Sequence, residues 1–163
     1  MGSTITAYRT FDTDDILHVI GNPSILDTIV EDGAEINSSH IDPNKACFIA
    51  CEVNSEIAAV WIFDKKGAIT LDVHAHVLPA FRKQYSLEIG NAVFSEIIRL
   101  ADWAHKYTAE IPTIYPNVKA FAERFGFEIE GTCKECYLKN GEIVDKWILG
   151  ATANRIKHEL DQR

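Results

Sequence analysis

The sequence lacks several features that would assign it to a familiar class. No run of apolar residues approaches the length of a membrane span, and the opening MGSTITAYRT lacks the basic-then-apolar layout of a secretory leader. There is no Walker-type phosphate loop, no dinucleotide-binding glycine fingerprint and no Gly-x-Ser-x-Gly nucleophile elbow. These absences predict a cytoplasmic protein without a membrane partner, and they disfavour three common kinds of nucleotide or ester chemistry.

Basic residues are also in short supply. The chain has 16 Lys and Arg against 24 Asp and Glu, a net charge of -8, and no cluster of Lys or Arg. A surface of this sign repels phosphate backbones, so we expect no nucleic-acid partner. It would attract a cation such as an amine, which permits an amine substrate without requiring one.

The four cysteines do not form a metal-binding pattern. Cys47 and Cys51 stand four apart in a strand-like run, whereas Cys133 and Cys136 stand three apart, which predicts side chains on opposite faces. A zinc knuckle instead presents its CxxC pair on a tight turn. We therefore expect no metal site and four free thiols.

Length and composition indicate one globular domain over residues 1–163. The chain is 47% hydrophobic and 25% charged, with no repeat, linker or low-complexity tract. Alternation and turn signals predict strands over residues 4–10, 47–53, 57–64, 68–77 and 110–115, two short helices after the first strand, and a long helix over 87–104. The predicted order is strand, two helices, three strands, helix, strand, helix and two strands, followed by a terminal helix.

Residues 117–147 form the most informative stretch. Apolar residues recur there with helical spacing at Val118, Phe121, Ala122 and Phe125. Asn117 is predicted to cap this helix, and Gly126 to end it in the left-handed conformation. The dipeptide Asn140-Gly141 between two strand-like runs predicts a two-residue hairpin turn. The unit is therefore a short helix followed by two antiparallel strands that close the fold.

This unit, with Glu130-Gly131 in the next strand and Asp145 before the last one, resembles the C-terminal half of GNAT-type N-acetyltransferases. The chain is most similar to the branch that acts on ribosomal-protein N-termini and antibiotics, and a divergent phage-encoded member of that branch is one option for it. The resemblance implies the GNAT acyl-CoA N-acyltransferase fold, an α/β fold in which helices flank a central, mostly antiparallel mixed sheet. It also implies acetyl-CoA as cofactor and an amine acceptor as partner, with a homodimer as one option for the assembly.

In GNAT enzymes the pyrophosphate of acetyl-CoA lies on backbone amides between the fourth strand and the long helix, where a helix N-terminus favours an anion. The matching segment is residues 77–88, whose Val-x-Pro and Arg82 fit the family. Tyr85 and Leu87 stand where the family has small residues, and an alignment one residue shorter places Ser86 at the second position. The resemblance implies cofactor contacts from Val77, Leu78, Arg82, Lys83, Gln84, Tyr85, Ser86, Leu87 and Asn117.

The strand before that segment has one apolar and one polar face. Asp72, His74 and His76 lie on the polar face, and the apolar residues between them in the sequence lie on the other face. Family members place a general base in this region, and an imidazole titrates near neutrality while a neighbouring carboxylate fixes its tautomer. We predict that one of these three residues is the base, with the choice among them open; the alternative is a partly exposed face that only makes hydrogen bonds.

The tyrosine that often serves the family as general acid is absent, because Ala122 stands four positions before the glycine of Gly-Phe. The resemblance offers Tyr115 as a catalytic substitute, with Tyr137 as a second option. Packing is the simpler role for an aromatic residue on a strand.

Together these residues predict an acetyl-CoA-dependent N-acetyltransferase that moves an acetyl group directly to a primary amine, either a small amine or a protein N-terminus or lysine. A backbone amide near Val77 would polarise the thioester carbonyl, and splayed strands over residues 73–77 and 111–115 would hold the acetyl arm. The alternative is a GNAT-fold protein with weak or no cofactor binding that serves in binding or assembly, such as a phage head-assembly factor. The departures in the cofactor segment, the missing tyrosine and a likeness of residues 29–33 to such factors motivate it.

Overall fold

The computed structural model describes residues 2–36 and 41–163. The strands within these ranges are β1 Ile5–Arg9, β2 Cys47–Val53, β3 Glu56–Lys65, β4 Thr70–Val77, β5 Lys106–Pro112, β6 Glu128–Lys139 and β7 Glu142–Thr152. The helices are α1 Thr13–Ile20, α2 Pro23–Ile29, α3 Pro79–Leu100, α4 Pro116–Glu123 and α5 Ala153–Asp161. The predicted order of elements and the mixed α/β class are confirmed. None of the helices in the described ranges is long and apolar enough to cross a membrane.

The strands form one sheet in the order β1-β2-β3-β4-β5-β7-β6. Neighbouring strands are antiparallel except β4 and β5, which run parallel and pair only from Thr70 and Lys106 to Asp72 and Thr108. Beyond that point β4 has no strand partner on this edge, while β5 continues to pair with β7 as far as Pro112. A gap between β4 and β5 therefore opens after Asp72, as the predicted splay requires.

Residues with positive φ shape the C-terminal part of the fold. Asn140 (φ 52°) and Gly141 (φ 79°) form the two-residue turn between β6 and β7, as a type I′ hairpin turn requires. Gly126 follows α4 with a φ of 89°, a conformation that strains any residue with a Cβ. Both sequence predictions are confirmed.

Two hydrophobic layers cover the faces of the sheet. On one face Phe94 of α3 packs against Trp61 and Phe125, and the ring centroids of Trp61 and Phe94 are 5.3 Å apart in an edge contact. A Cβ on Gly90 of α3 would lie 2.4 Å from the Phe125 ring, so this glycine permits the close packing. On the other face a smaller cluster that includes Ile16 lies between the sheet and helices α1 and α2.

Three element boundaries differ from the sequence predictions. α3 begins at Pro79 rather than at residue 87, since the fixed φ of proline suits the first helical position. β5 spans Lys106–Pro112 rather than residues 110–115. α4 begins at Pro116 with Tyr115 as its N-cap, so the prediction that Asn117 caps this helix is wrong.

The prediction that Cys133 and Cys136 point to opposite faces is also wrong. β6 bulges between Cys133 and Tyr137, and Glu135 within the bulge has a φ of 51°. The bulge breaks the two-residue alternation, so the Cys136 thiol donates a hydrogen bond to the Cys133 carbonyl oxygen at 3.2 Å. All four cysteines are free thiols.

Candidate active site

A cavity of about 320 Å³ lies beside the polar face of β4. Its walls are formed by Ile29, Ile36, Asp42, Lys45, Ala46, Ile62, Asp64, His74 and His76. The antiparallel register explains why β3 and β4 share this surface, because Ile62 lies opposite His74 and Asp64 lies opposite Asp72. Two of the predicted base candidates therefore line the same cavity.

His74 is held between two carboxylates. Its Nε2 lies 3.1 Å from an oxygen of Asp72 and 3.4 Å from an oxygen of Asp64, and 45% of its side chain is exposed. Burial acts to lower the pKa of His74, but the hydrogen bond and charge of Asp72, with the charge of Asp64, outweigh it and raise this pKa above its ordinary value. With Nε2 bound to carboxylates, Nδ1 is the ring nitrogen left for another partner.

Asp72 is buried and is surrounded by donors. It accepts a hydrogen bond from the Thr108 hydroxyl at 2.8 Å and lies 3.5 Å from the Lys66 ammonium, in addition to its contact with His74. Burial alone would raise the pKa of Asp72, yet the hydrogen bonds from His74 and Thr108 hold it below its usual range. The carboxylate is therefore ionised and oriented, at the last paired position before the gap between β4 and β5.

His76 lies farther along β4, and its pKa is shifted in the opposite direction to that of His74. Burial, reinforced by the positive charges of His74 and Arg82, lowers the pKa of His76 to about 3. The imidazole is therefore neutral at physiological pH, and it is a weak base.

The segment predicted to hold the cofactor is helical rather than a loop. Tyr85, Ser86 and Leu87 lie inside α3, where the backbone amides donate within the helix. Leu78 caps α3 without a side-chain hydrogen bond. Pro79 has no amide hydrogen and the Phe81 amide donates to the Leu78 carbonyl oxygen at 2.9 Å, which leaves the Ala80 amide of the first turn for an anion. Sequence reasoning missed this early helix start because it sought a glycine-rich loop.

The side chains of that segment divide between the surface and the interior. Arg82, Lys83 and Gln84 are exposed near the start of α3. The Arg82 Nε donates to the Val77 carbonyl oxygen at 2.8 Å, which joins the end of β4 to the helix. Tyr85 turns towards the start of the chain instead, with its hydroxyl 3.1 Å from the Ser3 hydroxyl.

The two tyrosines considered as general acids lie together. Tyr115 caps α4, and Tyr137 is buried in β6. Burial, together with the neighbouring Tyr115 and the charge of Glu31, raises the pKa of Tyr137 to about 12. Asn117, the remaining predicted cofactor contact, is exposed in the first turn of α4.

The segment after α2 is tied to the tip of the β6–β7 hairpin. The buried Lys139 ammonium donates to the carbonyl oxygens of Asp27 and Val30, the latter at 2.9 Å. The Asp32 carboxylate accepts hydrogen bonds from the two turn amides at 3.1 and 2.8 Å, and these bonds hold the pKa of Asp32 below its usual range. Since Ile29, the last residue of α2, lies between the Asp27 and Val30 carbonyl groups in the chain and lines the cavity, the hairpin helps to fix one cavity wall.

Sequence reasoning missed three residues at the site. Asp64 ended a predicted strand, and pairing that strand with the next one would have placed it opposite Asp72. Thr108 joins Asp72 only through the parallel pairing of β4 and β5, which has no local signal. Asp42 lies in the connection before β2, which the strand pattern does not constrain.

Comparison with known proteins gives a fold assignment. No family model matches the chain, and no curated protein matches it. A solved structure of spermidine N-acetyltransferase from Vibrio cholerae, in complex with CoA and spermine, matches with a TM-score of 0.75 and 16% identity, covering 95% of this chain and 98% of that one. The Salmonella typhimurium protein yncA with its cofactor acetyl-CoA matches with a TM-score of 0.72 and 15% identity, covering 91% and 94% of the two chains. Ribosomal-protein-alanine N-acetyltransferase from Brucella melitensis matches with a TM-score of 0.70 and 16% identity, covering 91% and 99%.

The protein therefore has the acyl-CoA N-acyltransferase fold of the GNAT proteins. The resemblance read from the C-terminal unit is confirmed at the level of the fold. The branch within the superfamily stays a prediction at these sequence identities.

Proposed function

We propose that the protein is an acetyl-CoA-dependent N-acetyltransferase that transfers the acetyl group directly to a primary amine. The observation that carries the proposal is the position of His74. It lines a cavity, is oriented by the buried Asp72, and lies on β4 just beyond the point where β4 and β5 separate. Proteins of the same fold include one with CoA and spermine bound and one with acetyl-CoA bound, which supports the choice of cofactor.

His74 is the proposed general base among the three residues predicted from the sequence. Asp72 is buried and already accepts from Thr108 and His74, so its role is to orient the imidazole and stabilise its protonated form. The low pKa of His76 makes it a weak base. His74 has a raised pKa, and its Nδ1 is the ring nitrogen that the two carboxylates do not contact; it would take the proton that the amine loses as it attacks.

The cavity favours a small aliphatic amine as the acceptor. Among the lining residues that the structure describes, Asp42 and Asp64 carry negative charge and Lys45 carries positive charge, and isoleucine side chains supply apolar surface. A cavity volume of about 320 Å³ is at the lower end of the range typical of small-molecule sites. A protein N-terminus or lysine would have to enter as an extended chain.

Part of the predicted cofactor segment has positions that fit acetyl-CoA, which would supply the acetyl thioester. The first turn of α3 offers the Ala80 amide, and Arg82, Lys83 and Gln84 lie beside it at the surface. The Leu78 amide donates to the Ala58 carbonyl oxygen in β3. Because successive amides of a strand point to opposite sides, the Val77 amide is directed towards the gap, where it would polarise the thioester carbonyl oxygen. Tyr115 is the proposed donor of a proton to the leaving thiolate.

Calorimetric and thermal-shift titration with CoA and acetyl-CoA tests the proposal. At a hundred times the dissociation constant, ligand should add about 2.7 kcal/mol to the free energy of unfolding. Arg82→Glu should weaken binding at least tenfold. Arg99→Glu is the matched control, since it makes the same change on the same helix, about 25 Å away at 1.5 Å per residue.

The outcome separates the two functions considered. Binding that Arg82→Glu weakens and Arg99→Glu leaves unchanged supports the enzyme and justifies screening small amines for acetylation. No stabilisation by millimolar CoA or acetyl-CoA would refute it in favour of a binding or assembly protein. Equal losses of CoA affinity in both variants would contradict the placement of the cofactor at the start of α3.

A further inference from the structure

The bulge in β6 shortens the distance between Cys133 and Cys136. Cys133 lies opposite Lys146 of β7, and Tyr137 lies opposite Val144, so four residue steps on β6 match only two on β7. Two strand steps span about 7 Å, roughly half the extended length of four. Disulfide-bonded cysteines have Cα atoms about 4.4–6.8 Å apart, a range that the compressed backbone brings within reach.

The Cys136 side chain turns back onto Cys133 within the bulge. The Cys136 thiol donates to the Cys133 carbonyl oxygen at 3.2 Å, and a hydrogen bond between the two thiols is the main cause that raises the pKa of Cys133. Both side chains are partly exposed, so small molecules in solution have access to them. Cys51, by contrast, is fully buried in the core, and burial raises the pKa of its thiol to about 12.

The bulge is held in shape from the neighbouring strand. The Asp145 carboxylate accepts a hydrogen bond from the Glu135 amide at 2.8 Å and lies 3.2 Å from the Lys134 ammonium. Glu135 has a positive φ, which turns the backbone between the two cysteines. The juxtaposition of the thiols is therefore built into the sheet.

We propose that Cys133 and Cys136 form a reversible dithiol–disulfide pair that exchanges with low-molecular-weight disulfides such as glutathione disulfide. The Cys136 thiolate bonds to one sulfur of glutathione disulfide and releases one glutathione. Cys133 then loses its proton to solvent and attacks the Cys136 sulfur, releasing the second glutathione. Two protein thiols are oxidised, and one glutathione disulfide is reduced to two glutathiones.

The sequence provides a direct test. The full chain is equilibrated in glutathione buffers of increasing oxidised fraction, free thiols are alkylated, and a non-reducing tryptic map is analysed by mass spectrometry. Trypsin cleaves after Lys134, between the two cysteines, so only a Cys133–Cys136 disulfide joins the two resulting peptides. We expect this joined pair, lighter by two hydrogen atoms than the separate peptides, while Cys51 is recovered reduced.

Variants test the chemistry and the geometry separately. Cys133→Ser, which lacks the resolving thiol, should stop at a mixed disulfide of Cys136 with glutathione. Asp145→Ala, which releases the bulge, should need a severalfold higher ratio of oxidised to reduced glutathione for half oxidation. The proposal is overturned if the wild-type chain acquires glutathione on both cysteines without joined peptides, or if it stays reduced at every ratio. An unchanged half-oxidation ratio in Asp145→Ala would show that the bulge does not favour the disulfide.

Discussion

Replacing Asp72 by asparagine should move the acidic limb of the pH–rate profile to lower pH. The limb reports on a base that must be neutral to act, and the proposed base is His74. Its pKa is raised by Asp72, so the wild-type limb should lie above the ordinary histidine value of about 6.5. Removing the carboxylate charge leaves burial as the larger influence, so the pKa should fall.

The size of this shift follows from the contact. An opposite charge within about 4–6 Å moves a pKa by 1–3 units, and Asp72 lies 3.1 Å from His74. Because 45% of the His74 side chain is exposed, solvent screening places the expected shift near the lower end, at about one pH unit. Loss of orientation should also lower the plateau of kcat/KM roughly tenfold to a hundredfold.

The assay is kcat/KM for acetyl transfer to an accepted amine, measured from pH 5 to 9. Asp64→Asn is the matched control, because Asp64 contacts the same imidazole nitrogen at 3.4 Å from a half-exposed position and should shift the limb less. His74→Gln should lower the plateau by about a hundredfold or more. An acidic limb that stays in place in Asp72→Asn, with the fold intact by thermal melting, would refute the assignment of His74 as the titrating base.

Two other substitutions test the architecture. Gly126→Ala should lower the free energy of unfolding by about 1–2 kcal/mol, since it forces a Cβ into a positive-φ position and towards the flexible Arg155 side chain. Urea unfolding measures the change, with Gly67→Ala as the control because the space around Gly67 is open. Equal effects of the two substitutions would contradict this account. Lys139→Met should raise KM for the amine severalfold while CoA affinity is retained, because the end of α2 loses its two hydrogen bonds to the hairpin and only the Asp32 bonds after it are kept. Lys134→Met, an exposed change on the same hairpin, should leave KM unchanged. A normal KM in Lys139→Met would show that the hairpin has no role in binding the amine.

The sequence was most informative where structure depends on adjacent residues. The Asn140-Gly141 turn and the positive φ of Gly126 both follow from backbone preferences of single residues or dipeptides. The alternation along β4 correctly separated the polar from the apolar face, and it selected His74 and Asp72 as residues to consider. The element order followed from such local signals, so the fold could be predicted.

Local signals also misled where two of them competed. Tyr85 and Leu87 look like departures from the small residues of a loop, although Pro79 is the signal for a helix start. Asn117 is a good capping residue by type, but Pro116 takes the first helical position and moves the N-cap to Tyr115, two positions earlier. In both cases proline at the first helical position decided the boundary.

Only the tertiary structure decided which distant side chains meet. The sequence by itself determined the order of strands and helices and the residues that each presents, because φ, ψ and side-chain alternation are set over a few neighbouring residues. The contact of Thr108 with Asp72 depends on parallel pairing, and that of Cys133 with Cys136 depends on a bulge whose length β7 sets. Register between strands is fixed by packing across the whole sheet, so these contacts have no signature in either segment alone.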